Sequence, residues 1–431
     1  MVGGGLAGLF NAFELVERGV DDVMVLEQTG IPGGVTRTIR RDGFLLEPAA
    51  ASFRLPHPHL SRLLERSGAE TRPAGDVSVR YVHVNGQLVA LSASPKAFLA
   101  PVLGLSAKLR ALMEPLLPGS STADESLADF AIRRFGKGAG ELVSSLMATG
   151  VFAGDPRRLS VGSAFPALAE MERATGSVIK SAMRNRRTRS SGRGGAQTHV
   201  PVGGMDELAD VFVDRLGDRF LPGFEVGSLR REDGQWIIEG PARMSADVVV
   251  LAIPPWAAAG LFDGDLADAL RQNVAAPVGV VFLGGSGPSP LPRGYGALIG
   301  PGEGLSTRGA LFESSYAPVR APEGSWLAKV IVGGAIAPSA IDSDDERLVS
   351  TVVNEVEKIL DIDISPDFTE IVRHRPGIPQ YEVGHRRWLS HIDRLAGAMP
   401  RLQLTGWGYR GVAVTSLATD SVRVADAITR S

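Results

Sequence analysis

The period of apolar and polar positions changes several times along the chain. Residues from Leu6 to Arg18 carry apolar side chains at helical spacing, and Asp22-Val23-Met24-Val25-Leu26-Glu27 is a short apolar run closed by an acid. The first pattern predicts a helix and the second a strand buried on both faces, as in a parallel sheet. From about Ser92 to Ala182 helix-forming residues recur every 3.6 positions, as in Ala97-Phe98-Leu99 to Leu103 and Leu109 to Leu117, which predicts a helical subdomain. That period stops at Arg184 to His199, where arginine, serine and glycine show no apolar pattern and a mobile loop is expected. Phe224-Glu225-Val226 and the apolar run from Asp247 to Pro255 then resume the parallel-strand signal. Between about Leu266 and Pro379 the runs Val278 to Leu283 and Trp326 to Val332 predict a mixed sheet, crossed by a helix from Asp344 to Leu360.

Composition narrows what such a chain does. At 431 residues, 44% of them hydrophobic and 22% charged, it is expected to fold as two or three domains. The net charge of −3 provides no general field for nucleic acid, and the arginine-rich run lacks interleaved aromatic residues to stack on bases. Cysteine is absent, so disulfides, thiolate nucleophiles and iron–sulfur ligation are excluded. The only close histidine pair, His57 and His59, has no third ligand nearby, and no metal is expected. No basic-then-apolar segment precedes the first glycines, and no stretch reaches the roughly 18 apolar residues of a membrane span. A cytoplasmic location is therefore expected, with attachment to a membrane surface and a homodimer left open.

Candidate chemistry sits at the start. Met1-Val2-Gly3-Gly4-Gly5-Leu6-Ala7-Gly8 places Gly3, Gly5 and Gly8 in the order G-x-G-x-x-G ahead of a helix, and Glu27 ends a strand about twenty residues beyond. Gly3 suits a tight turn, Gly5 lets a pyrophosphate approach the backbone, and Gly8 lets helix pack on strand. Glu27 would accept from ribose hydroxyls, while the helix start offers N–H groups and a positive dipole end to phosphate. Gly33-Gly34 forms a second glycine pair, which favours FAD over a nicotinamide cofactor; a type II turn is the plainer reading. The fold class is thus α/β, with a discontinuous Rossmann-like domain, a mixed-sheet domain and a helical subdomain.

Further blocks carry a resemblance. Thr149-Gly150-Val151-Phe152-Ala153-Gly154-Asp155 with Leu159-Ser160 and Phe165-Pro166, then Gly377-Ile378-Pro379-Gln380-Tyr381 with Gly384-His385, and the ending from Gly406 to Gly411-Val412 belong together. Over nearly its whole length the chain resembles the oxygen-dependent protoporphyrinogen and coproporphyrinogen oxidases, within the amine-oxidase-like FAD group. The resemblance implies an FAD-binding domain of residues 1–55, 196–265 and 396–431, a substrate-binding domain of 56–91 and 266–395, and a helical subdomain of 92–195. It implies flavin contacts at Val226, Gly406, Val412 and Val414, with the last helix aimed at the flavin. It also implies a porphyrinogen against Phe152 and Tyr381, oxidised with O2 as acceptor; core packing of those two rings stays open. Arg54 and Arg410 are candidate partners for substrate propionates, or solvated surface arginines.

The chain departs from that family in three places. After Glu47 the family reads x-Gly-Pro-Asn-Ser-Phe or x-Gly-Pro-Arg, whereas here Pro48-Ala49-Ala50-Ala51-Ser52-Phe53 follows. Trp407 stands where the family has Asn, and Thr415-Ser416 where it has Asn-Asp. Only Met1 and Val2 precede Gly3, where the family has a central strand, so a start upstream of Met1 is expected. These departures leave two other readings open: a flavin oxidase or desaturase acting on a different substrate, and a flavin-binding carrier without turnover.

Overall fold

The computed structural model describes residues 1–92, 102–119, 124–190 and 196–430. Contacts divide the chain into two compact units. One comprises Met1–Ala74, Ala196–Asn273 and Arg387–Ser431, and the other Gly75–Gly195 and Val274–Arg386.

In the first unit the strands are short and parallel. Val25–Glu27 pairs with Phe220–Pro222, and Val249–Leu251 with Leu402–Leu404. Val2 bridges the two pairs, parallel to Leu26 and to Leu251. The bonds Gly3 N to Leu26 O, Leu26 N to Met1 O, Val2 N to Val250 O and Ala252 N to Val2 O, each 2.8 Å, fill the ladder on both sides. The flanking strands are three residues long, and Met1 to Gly3 pair with both.

Alternation along these strands feeds two cores. Val25 and Phe220 join Phe10, Phe13 and Phe212 from the helices Leu6–Glu17 and Met205–Leu216, with the Phe10 and Phe212 rings 5.0 Å apart. Val2, Leu26, Leu251 and Leu404 face the opposite core, which includes Trp236 from an antiparallel three-stranded sheet. The sheet is therefore covered on both faces, as its unbroken apolar runs require. His57 Nδ1 accepts from Leu60 N at 3.3 Å and caps the helix Pro58–Ser67.

A buried polar chain joins the first helix to the last, Val414–Thr429. Asn11 Nδ2 donates to Thr405 Oγ1 at 3.3 Å, Thr405 Oγ1 donates to Asp420 Oδ2 at 2.6 Å, and Arg423 Nε donates to Asp420 Oδ1 at 2.5 Å.

The second unit is built on a seven-stranded mixed sheet in the order 368–379, 275–286, 325–333, 307–311, 296–299, 79–84, 87–92. Its one parallel pairing is between Gly296–Ile299 and Val79–Val84. The expected helix is present as Asp345–Leu360, with the Asp344 side chain accepting from Arg347 N at 2.8 Å. Its Leu348, Val352 and Val356 pack on Val281, Val330 and Val332 of the sheet.

Two expectations are corrected. Arg184 to Ser190, expected as loop, continue the helix Val178–Ser190, and His199 belongs to the strand Gln197–Pro201; residues 191–195 lie outside the described residues. The physical reason is a cap from far away in sequence: buried Glu114 accepts from Val178 N at 2.9 Å and Ile179 N at 3.2 Å. Arginine is itself a good helix former. The strand expected at Phe224 to Val226 lies earlier, at Phe220–Pro222. Of the helical positions singled out, Ala97 to Leu99 fall outside the described residues.

Replacing Asp420 by alanine removes the acceptor of Thr405 and Arg423 together. Stability is expected to fall by about 1–3 kcal/mol, measured as a lowered thermal midpoint; an unchanged midpoint would mean that the polar chain adds no stability.

Candidate active site

The glycine turn at the head of the first helix is set by how closely backbone approaches backbone. Gly3 has φ +102°, and a Cβ there would lie 2.7 Å from Ile253 Cγ2. A Cβ at Gly8 would lie 1.9 Å from the Gly3 carbonyl oxygen. Both positions are therefore required by the protein's own packing. Gly5 differs: its φ is −71° and an added Cβ would meet no protein atom closer than 3.9 Å. The chain's own packing does not demand a glycine there, and the space fits a group bound from outside. Gly5 also caps the helix Leu6–Glu17 with no side-chain hydrogen bond, which leaves the positive helix end uncovered by side chains.

Glu27 ends its strand beside this turn and is buried. Its carboxylate accepts from Gly4 N at 2.7 Å, Thr29 N at 2.9 Å and Thr29 Oγ1 at 2.8 Å, which fixes its orientation. A carboxylate offers about four acceptor positions, so one remains for a ligand's hydroxyl. Thr29 was not singled out from the sequence; its signal is a hydroxyl two residues beyond the acid, able to fold back on it. Gly33 bridges Gly5, its N–H donates to Gly4 O at 2.9 Å, and Gly33 and Gly34 both have left-handed φ values, of 93° and 60°. The second glycine pair thus packs on the first.

Two other segments reach the same region. Gly223 N donates to Thr29 O at 3.0 Å and Phe224 N to Glu27 O at 2.8 Å, which carries the chain toward half-buried Val226. At the far end of the sequence Gly406, with φ +116°, lies beside Ala7, and Thr405 N donates to Leu251 O at 3.0 Å. Trp407 meets Trp256 edge to face at 6.1 Å. Half-buried Val412 leads into the helix Val414–Thr429, which like the first has no side-chain cap. Two uncapped helix starts, a buried carboxylate acceptor and a roomy glycine turn make a cradle for a dinucleotide carrying negative charge.

The four residues expected to meet substrate all make contacts within the chain. Arg54 is exposed and donates to Ala196 O, while Arg410 pairs with Asp393 and donates to Leu404 O at 3.1 Å, so both guanidinium groups are engaged by their own chain. In the second unit, Phe152 and Tyr381 are almost fully buried. Their ring centroids are 5.6 Å apart, and Tyr381 stacks on His385 at 4.1 Å. Both rings therefore pack as core. The backbone around them joins the two singled-out blocks: Gln380 Nε2 donates to Phe152 O at 2.9 Å, and Ser160 N to Tyr381 O at 2.8 Å. Among the described residues no cluster of three or more His, Cys, Asp or Glu side chains could hold a metal ion.

Residues 6–429 match the family of flavin containing amine oxidoreductases. The chain belongs to that family. FAD is its cofactor, and the cradle just described fits it. The coproporphyrinogen III oxidase of Bacillus subtilis is 27% identical over 100% of this chain and 97% of that protein. The chloroplastic protoporphyrinogen oxidase of Oryza sativa is 28% identical over 93% and 81%. A crystal structure from Exiguobacterium sp. 255-15 superposes with a TM-score of 0.85 at 22% identity, covering 99% of this chain and 97% of that one. The protein is thus an FAD-dependent oxidoreductase.

The cradle makes contrasting predictions for three substitutions. Gly8→Ala is expected to prevent the folded first unit from forming, whereas Gly5→Ala should leave unfolding unchanged and lower FAD occupancy of the purified protein. Glu27→Ala should weaken FAD binding by about 1.5–3 kcal/mol, measured by titrating FAD into stripped protein. Full flavin retention by Gly5→Ala and Glu27→Ala would remove both residues from the site.

Proposed function

We propose that this protein oxidises a porphyrinogen, either protoporphyrinogen IX or coproporphyrinogen III, to the porphyrin with O2 as acceptor, in haem formation. The observation that carries the reading is end-to-end similarity to enzymes named for those two substrates, together with the presence of the Gly150 to Asp155 and Gly377 to Tyr381 blocks in one chain.

Bound FAD supplies the two-electron acceptor and returns the electrons to O2. In each step the substrate's bridging CH2 loses a hydride and a pyrrole N–H loses a proton, and one O2 becomes H2O2. The chain's part is to hold and to polarise. Glu27 and the glycine turn would hold the nucleotide end by hydrogen bonds and dipole, independently of the substrate. The start of the helix at Val414, which has no side-chain cap, would offer partial positive charge to added negative charge on a bound flavin. The substrate's own N–H is acidified by loss of the hydride, so no acid–base pair from the protein is needed.

A second reading, oxidation of a different substrate, is favoured by one feature. In the altered segment Ala49 to Ala51, Ala51 stands where the family has a polar side chain. The loss of polar contacts there is expected to raise KM while leaving kcat near its usual range.

The FAD-loaded protein, given saturating protoporphyrinogen or coproporphyrinogen, should produce porphyrin fluorescence and stoichiometric peroxide faster than a flavin-free control. No rate above that control for either substrate, from fully flavinated protein, overturns the proposal and promotes the second reading.

A further inference from the structure

Arg308, in the second unit, is a buried guanidinium that the chain does not satisfy. It is only 9% exposed, its Nε donates to Ser306 O at 3.2 Å, and among the described residues neither Nη group has an acceptor. Glu355 favours its charge but forms no ion pair with it, since the Glu355 oxygens accept from Ser306 N at 2.8 Å and Thr307 N at 2.7 Å. Burial therefore pulls the Arg308 pKa below its ordinary value, and Glu355 offsets part of that effect. The hydroxyl of the adjacent Thr307, wholly buried, also lacks a hydrogen-bond partner. Buried polar groups are normally paired, so two open ones side by side on one strand mark a place where the partner comes from outside the chain.

The backbone is irregular at the same point. Thr307 pairs with Val332 and Gly309 with Ile331, so Arg308 is the extra residue of a bulge in the strand Thr307–Leu311. Bulges re-aim a side chain and gather beside binding sites. This one adjoins a segment on which the porphyrinogen reading rests. A Cβ added at Gly309 would lie 3.1 Å from Leu298 Cδ2, and one added at Gly150 would lie 3.3 Å from Leu298 Cδ1, so Leu298 is held between the bulged strand and the Gly150 to Asp155 block. A planar guanidinium with both Nη groups open matches a carboxylate through two parallel hydrogen bonds. Arg54 and Arg410, by contrast, spend their Nη groups on Ala196, Leu404 and Asp393.

We propose that Arg308 receives a substrate propionate that coproporphyrinogen III carries where protoporphyrinogen IX has a vinyl group, and so selects coproporphyrinogen III. The residues around it along and across the strand, Gly309, Ala310, Ile331 and Val332, are apolar and would suit a vinyl group if the charge were absent. With the charge present, a vinyl group leaves the buried N–H groups unpaired, whereas a propionate fills them. A site built to hydrogen-bond a ligand group rejects the analogue that lacks it. The inference rests on the porphyrinogen reading above and deepens it.

The test titrates coproporphyrin III and protoporphyrin IX, the oxidised and unreactive forms, into the full-length, FAD-loaded protein and follows quenching of porphyrin fluorescence. The native protein is expected to bind coproporphyrin III at least about tenfold more tightly than protoporphyrin IX. Arg308→Leu should weaken coproporphyrin III binding by about 10- to 100-fold, with protoporphyrin IX binding equal or tighter and the thermal midpoint equal or higher, because an unpaired buried charge is gone. Where the leucine variant loses flavin, Arg308→Lys takes its place: it keeps the charge without the two-pronged geometry, and a smaller loss confined to coproporphyrin III is expected. Equal binding of the two porphyrins by the native protein, or undiminished coproporphyrin III binding in the variant, overturns the role of Arg308 alone; acetate that then stabilises only the native protein would give the site to a smaller acid. A lowered midpoint with equal loss of both porphyrins overturns it too and makes the residue structural. Binding of neither porphyrin by the native protein overturns the porphyrinogen reading along with it.

Discussion

The first unit depends on one close approach, that of Gly8 to the carbonyl of Gly3. With a Cβ only 1.9 Å from that oxygen, no residue other than glycine lets the first helix start where it does. Everything nearby takes its position from that contact. The helix start faces the turn with its N–H groups uncovered by side chains, and Gly33-Gly34 can lie against Gly4 and Gly5. Glu27 is then held by Gly4 N and cannot swing away. A pyrophosphate site made in this way is built mostly of backbone, so its strength lies in geometry that side-chain substitutions elsewhere do not reach.

Because the unit is assembled from three separated stretches of chain, its two ends need a link of their own. The chain Asn11, Thr405, Asp420 and Arg423 provides it within an otherwise apolar core. Buried polar groups are stabilising only when each has its partner, and here the hydroxyl of Thr405 both accepts and donates. Both linked helices begin without a side-chain cap. A shift of one would therefore carry the other, which keeps both positive ends directed at the same cradle.

What could be read from sequence was local. The glycine spacing, the acid after the strand and the apolar periods of Val278 to Leu283, Trp326 to Val332 and Asp344 to Leu360 are encoded within a few turns or pairs of residues, and each recurs in the structure. Where the decisive partner is distant, pattern failed. The helix Val178–Ser190 has no apolar period and depends on Glu114, more than sixty residues earlier. Arg54 and Arg410 looked available because Ala196 O and Asp393 are neighbours only after folding. Phe220-Leu221-Pro222 carries a proline where Phe224-Glu225-Val226 carries a valine, so local propensity favours the second, and the register with Val25 to Glu27 makes the first the strand.

This division between backbone and side chain also separates what the family relationship fixes from what it leaves free. The cradle at the head of the first helix offers N–H groups, dipoles, glycines and a single carboxylate, features that depend little on surrounding side chains. The departures at Ala49 to Ala51 and at Trp407 alter side chains only: Trp407 packs edge to face on Trp256 while Thr405 N keeps its bond to Leu251 O. A polar-to-aromatic change at that position therefore modifies the wall of the cradle without dismantling it. Substrate choice has no comparable backbone guarantee. It depends on which side chains replace those lost contacts, so divergence in this fold is expected to change what is oxidised before it changes what oxidises it.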